Sequence, residues 1–414
     1  MNNESSESNA SDADSGSPAK KGWKERLRPL IGIAILVAVF SYLDLGGSIT
    51  WTSPDQEEVK ISGAVEGDWR SDEIQFKPSE EWVPGELVPP VLVDWKQGDA
   101  AVTVLGGEAE DTEGGVYTWT PPVLRVFREI DLRYVALTLF MFFLGNCLVI
   151  TRWWRLLRGI ELHTTWRNVF RLNFLGLFFN TVVPGLTGGD LIKTIIVVRE
   201  SAGRRTDAFV SVIVDRLLGL IALSTLAAVV VFVVPGFEVL QKAVVFFLVG
   251  TFVGAVVYFS KKLRALIHFD ALLAKLPMGD KLKLLDDAVM LYSNHKLELG
   301  FALLLSITNH FLYITGVYFL GAACGVSTLE VSWPQYLVIV SIANIITAIP
   351  TSPGGLGVGE ALYVWLFGMI GARGSLGIAV SLTFRLCQML LGLLGGIFLL
   401  LPGAREEIDS ARNQ

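Results

Sequence analysis

Seven apolar runs constrain this chain more than any other feature. They are Leu30–Leu45, Tyr134–Ile150, Ala208–Val234, Leu240–Phe259, Leu299–Ala323, Trp333–Ile349 and Gly377–Leu401. Each approaches or exceeds the roughly 20 residues that cross a hydrocarbon core. Backbone polar groups find no water in lipid, so runs of this kind must satisfy their hydrogen bonds as helices. Shorter apolar pieces lie near 172–198 and 355–370. The expected fold class is an all-α polytopic membrane bundle. Only 18% of the residues are charged, against about a quarter in a soluble domain.

Two of the apolar stretches are broken in the same way. The first reads Asn180-Thr-Val-Val-Pro184-Gly-Leu-Thr-Gly188-Gly189-Asp190. The second reads Asn344-Ile-Ile-Thr-Ala-Ile-Pro350-Thr-Ser-Pro353-Gly354-Gly355-Leu-Gly357-Val-Gly359-Glu360. Proline removes a helical donor and clashes with the preceding turn, and glycine tolerates positive φ and close backbone approach. Such breaks survive at membrane depth only when buried in protein or lining a wet cavity. Each is followed by an arginine, Arg216 at 26 residues after Asp190 and Arg385 at 25 after Glu360. Broken segments at corresponding places in two halves point to a transporter site. The glycines of the second break follow a span rather than a strand, so they do not make a dinucleotide loop.

Loop charge sets orientation. Basic clusters occur at Lys20–Arg28, at Arg152, Arg155, Arg158, Arg167 and Arg171, at Arg199–Arg205, and between Lys261 and Lys296. Placing these in the cytoplasm puts both termini there, in a cell (inner, cytoplasmic) membrane. The basic residues Arg125, Arg128 and Arg133 run against this assignment. The expected organisation is a disordered tail over 1–28, a first span over 29–46, an acidic extracytoplasmic insert over 47–122, the bundle over 123–402 and a tail over 403–414. Gly46-Gly47-Ser48 offers small residues for cleavage after the first run, but an uncleaved anchor is the favoured reading. Between 51 and 120 there are sixteen Asp/Glu and four Lys/Arg. Alternating segments around Val59, Val102 and Val116 with turn residues between them read as a small β-rich module. The stretch 261–297 has apolar residues at helical spacing and reads as amphipathic helices at the membrane surface.

On this topology the two breaks enter from opposite faces, as an inverted repeat. Helices starting near Ala208 and Gly377 carry Arg216 and Arg385 toward the midplane. An arginine there costs about 2.5–3.5 kcal/mol on insertion scales, so it must face the interior and have a partner. Asp190 and Glu360 are the candidate partners, in a direct or crossed arrangement. Asp215 is set aside because neighbours on a helix point apart. The candidate substrate-binding set is Asn180, Pro184, Gly188, Gly189, Asp190, Lys193, Arg216, Asn344, Pro350, Gly354, Gly355, Gly357, Glu360 and Arg385. The guanidinium fork suits an anionic phosphate. The competing reading of the same charges is a set of buried ion pairs that lock the bundle. His310 and Asn146 read as interhelical hydrogen-bonding residues, as does Ser341. Trp153 and Trp154 read as interfacial anchors. Cys147, Cys324 and Cys387 have no metal-like spacing and read as small buried hydrophobes.

No catalytic constellation and no nucleotide loop is legible, so an enzyme, a cofactor, a metal site and a nucleic-acid partner are not expected. The motifs Thr151-Arg152-Trp153-Trp154-Arg-Leu-Leu157, Phe178-Phe-Asn180…Gly189-Asp190-Leu-Ile-Lys193, Val214-Asp215-Arg216-Leu-Leu-Gly219 and Pro353-Gly-Gly-Leu-Gly357-Val-Gly359-Glu360 together resemble the lysylphosphatidylglycerol synthase transmembrane-region, or flippase-like, family. The resemblance runs from about 125 to 402. It implies a bundle that translocates or binds an anionic phospholipid or a polyprenyl-phosphate-linked lipid. The family's aminoacyl transferase domain has no counterpart here, so synthase activity is not carried over. The insert at 47–122 is outside the family pattern. It supports an alternative, a membrane-anchored envelope scaffold that binds an envelope protein or glycan through the insert.

Overall fold

The computed structural model describes residues 47–53, 58–67, 73–79, 88–96, 99–105, 116–120, 123–182, 188–201, 203–268, 295–348 and 357–400, with the single positions 283, 286, 292 and 355. The expected span Leu30–Leu45, both expected tails, Pro184, Pro350, Gly354 and most of 269–294 lie outside these residues. Asp190 is described in its backbone only.

The β-rich insert folds as one antiparallel sheet in the order β4-β3-β2-β1-β5. Its strands are β1 (Ser48–Thr52), β2 (Glu58–Glu66), β3 (Glu73–Pro78), β4 (Val102–Leu105) and β5 (Val116–Thr120). Trp51 stands opposite Val59 on one side and Tyr117 on the other. Period-2 alternation explains the faces. Ile49, Trp51, Ile61, Val65, Ile74, Phe76 and Val104 are buried with Leu92 and Trp95, while Glu58, Lys60, Gln75 and Lys77 are exposed.

The helical part begins with α1 (Val123–Arg128). A first group follows: α2 (Leu132–Gly159), α3 (Trp166–Val182), α4 (Gly188–Glu200) and α5 (Arg205–Val230). After α6 (Glu238–Phe259) and α7 (Lys261–Leu266) comes a second group: α8 (Lys296–Ala323), α9 (Trp333–Thr347), α10 (Val358–Met369) and α11 (Gly374–Leu394). A 3₁₀ turn, Gly395–Leu400, prolongs α11. Four described helices are long and apolar enough to cross a membrane: α2, α5, α8 and α11 with its extension to Phe398. The start of α2 is set by Asp131, whose carboxylate accepts the Arg133 N–H at 2.9 Å, an N-cap. At α9 the capping pair Ser332 and Gln335 does the same work, with Pro334 in the first turn.

The two groups are copies. Their helices are 28, 17, 13 and 26 residues long in the first and 28, 15, 12 and 21 in the second. The long helices α2 and α8 lie antiparallel along their length. Tyr134 stacks on Phe319 at one end, Thr138 Oγ1 donates to Gly316 O at 2.9 Å, and Arg155 pairs with Glu298 at 3.0 Å at the other end. A shift of 164 residues carries Leu132 to Lys296 and Gly145 to Asn309, the fourteenth residue of each helix. These two face each other, since a Cβ on Gly145 would lie 2.7 Å from Asn309 Oδ1. Equivalent residues that meet at the centre of an antiparallel pair define an approximate two-fold axis across the helices, which is an inverted repeat.

One hydrogen bond repeats in full. Trp166 and Trp333 each open their helix, and each indole N–H donates to a threonine at 3.1 Å: Thr151 in one group and Thr315 in the other. Those threonines are again 164 residues apart. The groups also clasp each other crosswise, with α3 packed on α11 and α9 on α5.

One expected span is shorter than its apolar run. The run Trp333–Ile349 was expected to cross the membrane, but α9 has 15 residues and so measures about 23 Å, less than the roughly 30 Å core. The break after Thr347 begins before the helix can finish the crossing.

Candidate functional site

Arg216 and Arg385 occupy the same place in the two copies. The helices that carry them begin at Arg205 and Gly374, three residues before the expected starts near Ala208 and Gly377. Each arginine is therefore the twelfth residue of its helix, about 17 Å along the axis.

In the second copy the site is built around Glu360, the third residue of α10. Gly357 caps this helix with φ 81°, a left-handed conformation that glycine adopts without strain. Its N–H donates to Glu360 Oε2 at 2.7 Å. Arg385 Nε donates to Glu360 Oε1 at 3.0 Å, and its Nη2 reaches Gly355 O at 3.3 Å. Glu360 is fully buried and the Arg385 side chain is 22% exposed. The arrangement is direct, not crossed: Glu360 serves the arginine of its own copy.

A cavity of about 120 Å³ lies against this pair, between α9, α10 and α11. Asn344, Thr347, Tyr363, Ser381, Arg385 and Gln388 supply its polar wall, with Ala343, Gly359 and Phe384 completing it. Tyr363 is 2% exposed, and its hydroxyl has no hydrogen-bond partner among the described residues. Thr347, rather than Asn344, lies beside Gly359 and Gly355. A second cavity, lined by Phe143, Phe170, Phe174, Leu394, Ile397 and Phe398, is hydrocarbon throughout.

The first copy holds more charge. Asp215 on α5 is buried and accepts from Arg152 Nε at 2.8 Å. Arg152 Nη1 donates to Ser306 Oγ at 2.7 Å. Lys193, also buried, sits 3.8 Å above the centre of the Trp153 ring, a cation–π contact. Arg152, Lys193 and Arg216 all add positive potential at the Asp215 carboxylate. Asn180 Oδ1 accepts the Gly189 N–H at 2.8 Å, tying the end of α3 to the start of α4. A Cβ on Gly189 would overlap Gly176 O, so α3 and α4 touch backbone to backbone. The side chain of Asp190 lies outside the described residues; Gly188 opens α4.

Several readings of individual residues change. Arg152 counts as a loop charge in the linear pattern, yet it is a buried member of α2. Asp215, set aside for pointing away from Arg216, points instead at Arg152. Trp153 is fully buried, with Nε1 donating to Ser211 Oγ at 3.2 Å, so it is a core residue rather than an interfacial anchor. Ser341 Oγ is buried with no hydrogen-bond partner among the described residues, so it does not tie helices together. His310 does, donating from Nε2 to Gly219 O at 3.0 Å. Asn146 also does, accepting from Asn173 at 3.4 Å. All three cysteines are free thiols. Among the described residues no cluster of ligands could hold a metal ion.

This arrangement has relatives. Residues 115–396 match the lysylphosphatidylglycerol synthase TM region family. The chain belongs to that family. The match covers both helical copies and β5, whereas β1 to β4 precede it. Two archaeal proteins are similar over most of their own length. The UPF0104 membrane protein PH1989 of Pyrococcus horikoshii is 22% identical over 302 residues, 67% of this chain and 89% of that protein. The UPF0104 membrane protein MJ1595 of Methanocaldococcus jannaschii is 22% identical over 320 residues, 72% of this chain and 93% of that protein. As a member of the family, the chain is a multi-pass membrane protein.

Proposed function

We propose that this family member binds an anionic lipid headgroup near the bilayer midplane and carries it between leaflets by alternating access. The observation that carries the reading is the unequal state of two otherwise equivalent copies. In the first, α4 leans on α3. In the second, α10 leans on α11 and a cavity stands open beside Arg385. Exchanging the two arrangements would close one access route and open the other. Arginine and lysine at membrane depth favour an anionic, phosphate-bearing cargo. The proposed site comprises Lys193, Arg216 and Arg385 as cations, Asp190 and Glu360 as their counter-charges, and the two breaks as hinges. The basic loops support placement in the cytoplasmic membrane with both termini in the cytoplasm.

The test is lipid translocation in reconstituted vesicles. Arg216→Gln and Arg385→Gln, made separately, are expected to slow translocation at least tenfold with folding intact. Rates equal to the parent in both would refute the site.

A second reading has one observation in its favour. The sheet is a folded unit clasped to the bundle: Arg125 on α1 donates to Val65 O at 2.5 Å and also to Gly67 O. In this reading the sheet binds an envelope protein or glycan and the bundle anchors it. Deleting 51–120 separates the two. Translocation that persists without the sheet favours transport by the bundle alone. Loss of partner capture with no lipid bound by the parent favours the scaffold.

A further inference from the structure

We infer that the cavity of the second copy is built for the anionic phosphate of a lipid headgroup, and that it disfavours headgroups carrying an ammonium. The inference rests on the lipid-binding reading above and narrows it to a ligand class.

Position is the first argument. The cavity lies between α9, α10 and α11 with the Arg385 guanidinium in its wall, so an anionic headgroup entering it meets a cation.

Chemistry is the second. The polar wall presents the Asn344 and Gln388 amides, the Ser381 and Tyr363 hydroxyls and the Arg385 guanidinium. Each can donate, and phosphate oxygens accept. Among the described residues no carboxylate lines the cavity. Glu360 is fully buried behind Arg385, held by that arginine and by the Gly357 N–H. An aminoacylated headgroup would bring an ammonium with no counter-charge to meet it, a costly burial.

Tyr363 is the third. It is 2% exposed, lines the cavity, and its hydroxyl has no hydrogen-bond partner among the described residues. A buried donor without an acceptor is destabilising. An incoming phosphate oxygen removes that penalty. The equivalent residue of the first copy is Lys193, the sixth of α4 as Tyr363 is the sixth of α10. The cavity therefore carries a neutral donor where its counterpart carries a cation.

The experiment measures binding of water-soluble dioctanoyl lipids to the full chain in detergent, with phosphatidic acid, phosphatidylglycerol and lysylphosphatidylglycerol in parallel and inorganic phosphate alone as a fourth probe. Phosphatidic acid and phosphatidylglycerol are each expected to bind at least tenfold tighter than lysylphosphatidylglycerol and tenfold tighter than inorganic phosphate. Tyr363→Phe is expected to weaken phosphatidic acid about fivefold while leaving thermal stability unchanged or raised, because the hydroxyl it removes is unpaired. Equal or tighter binding of lysylphosphatidylglycerol overturns the inference and leaves the lipid-binding reading standing. Equal binding of inorganic phosphate makes free phosphate the ligand and overturns the lipid assignment. Parent-like affinity of Tyr363→Phe overturns the placement in this cavity. Failure of every lipid to bind overturns the broader reading as well.

Discussion

The two copies of the repeat differ most where their sequences correspond most closely. The twelfth residue of α5 and of α11 is arginine in both. The residue just before it is Asp215 in one copy and Phe384 in the other. Asp215 answers a buried Arg152, whereas Phe384 packs edge-on against Phe142 and Tyr313. The place equivalent to Arg152 is Gly316, where a Cβ would lie 2.8 Å from the Phe142 ring. One copy thus fills its centre with charge and the other with aromatic rings. The ends of the α2–α8 pair show the same division, with Arg155 and Glu298 at one end and the stacked Tyr134 and Phe319 at the symmetry-related end. A repeat preserves backbone geometry while each copy specialises its side chains.

The largest expected effect tests the charged centre. Asp215→Ala leaves Arg152 buried without its counter-charge and should cost about 3–5 kcal/mol, read from denaturant unfolding in detergent micelles. The double variant Arg152→Met with Asp215→Leu should recover most of it. Glu360→Ala should cost about 1–3 kcal/mol, because Arg385 keeps partial access to solvent. Equal losses at Asp215 and Glu360 would erase the distinction between a sealed pair and one beside a cavity.

Next comes the contrast between the glycines that open α4 and α10. Gly189→Ala drives a methyl group into Gly176 O and should cost about 1–3 kcal/mol through overpacking. At Gly359 the nearest atom to an added Cβ is Arg385 Nη2 at 3.5 Å, an ordinary contact. Gly359→Ala should stay within about 0.5 kcal/mol of the parent. The smallest effect sharpens the symmetry itself. Thr151→Val and Thr315→Val each keep the side-chain volume and remove the acceptor for a tryptophan N–H. Both should lose about 0.5–1.5 kcal/mol, and by the same amount. A marked inequality would mean that the two indole bonds do different jobs.

The glycine–proline breaks and the arginine spacing were legible because they are local: hydrophobic periodicity stops, and a charge appears at a countable distance. The helical bundle and the small β-rich insert were legible for the same reason. The ion pairs were not, because partner choice depends on how each helix is rotated about its axis. Glu360 and Arg385 are 25 residues apart and meet directly. Arg152 and Asp215 are 63 residues apart, and Arg152 sits within a basic run that reads as a loop. The helix α2 continues through that run to Gly159, and only its packing on α5 and α8 draws the guanidinium inward. The Trp166–Thr151 and Trp333–Thr315 bonds carried a usable signal, the 164-residue shift, which a search for paired glycines does not detect.

The clasp between Arg125 and the carbonyls of Val65 and Gly67 also has a mechanical side. The short helix α1 that bears Arg125 packs on α11, and α11 bears Arg385. Sheet, α1 and α11 are therefore linked in series. A tug on the sheet, from whatever grips it, is transmitted through one six-residue helix to the rod that holds the guanidinium. The insert would then be a handle on the bundle, its stiffness setting how much of an outside load reaches the cavity.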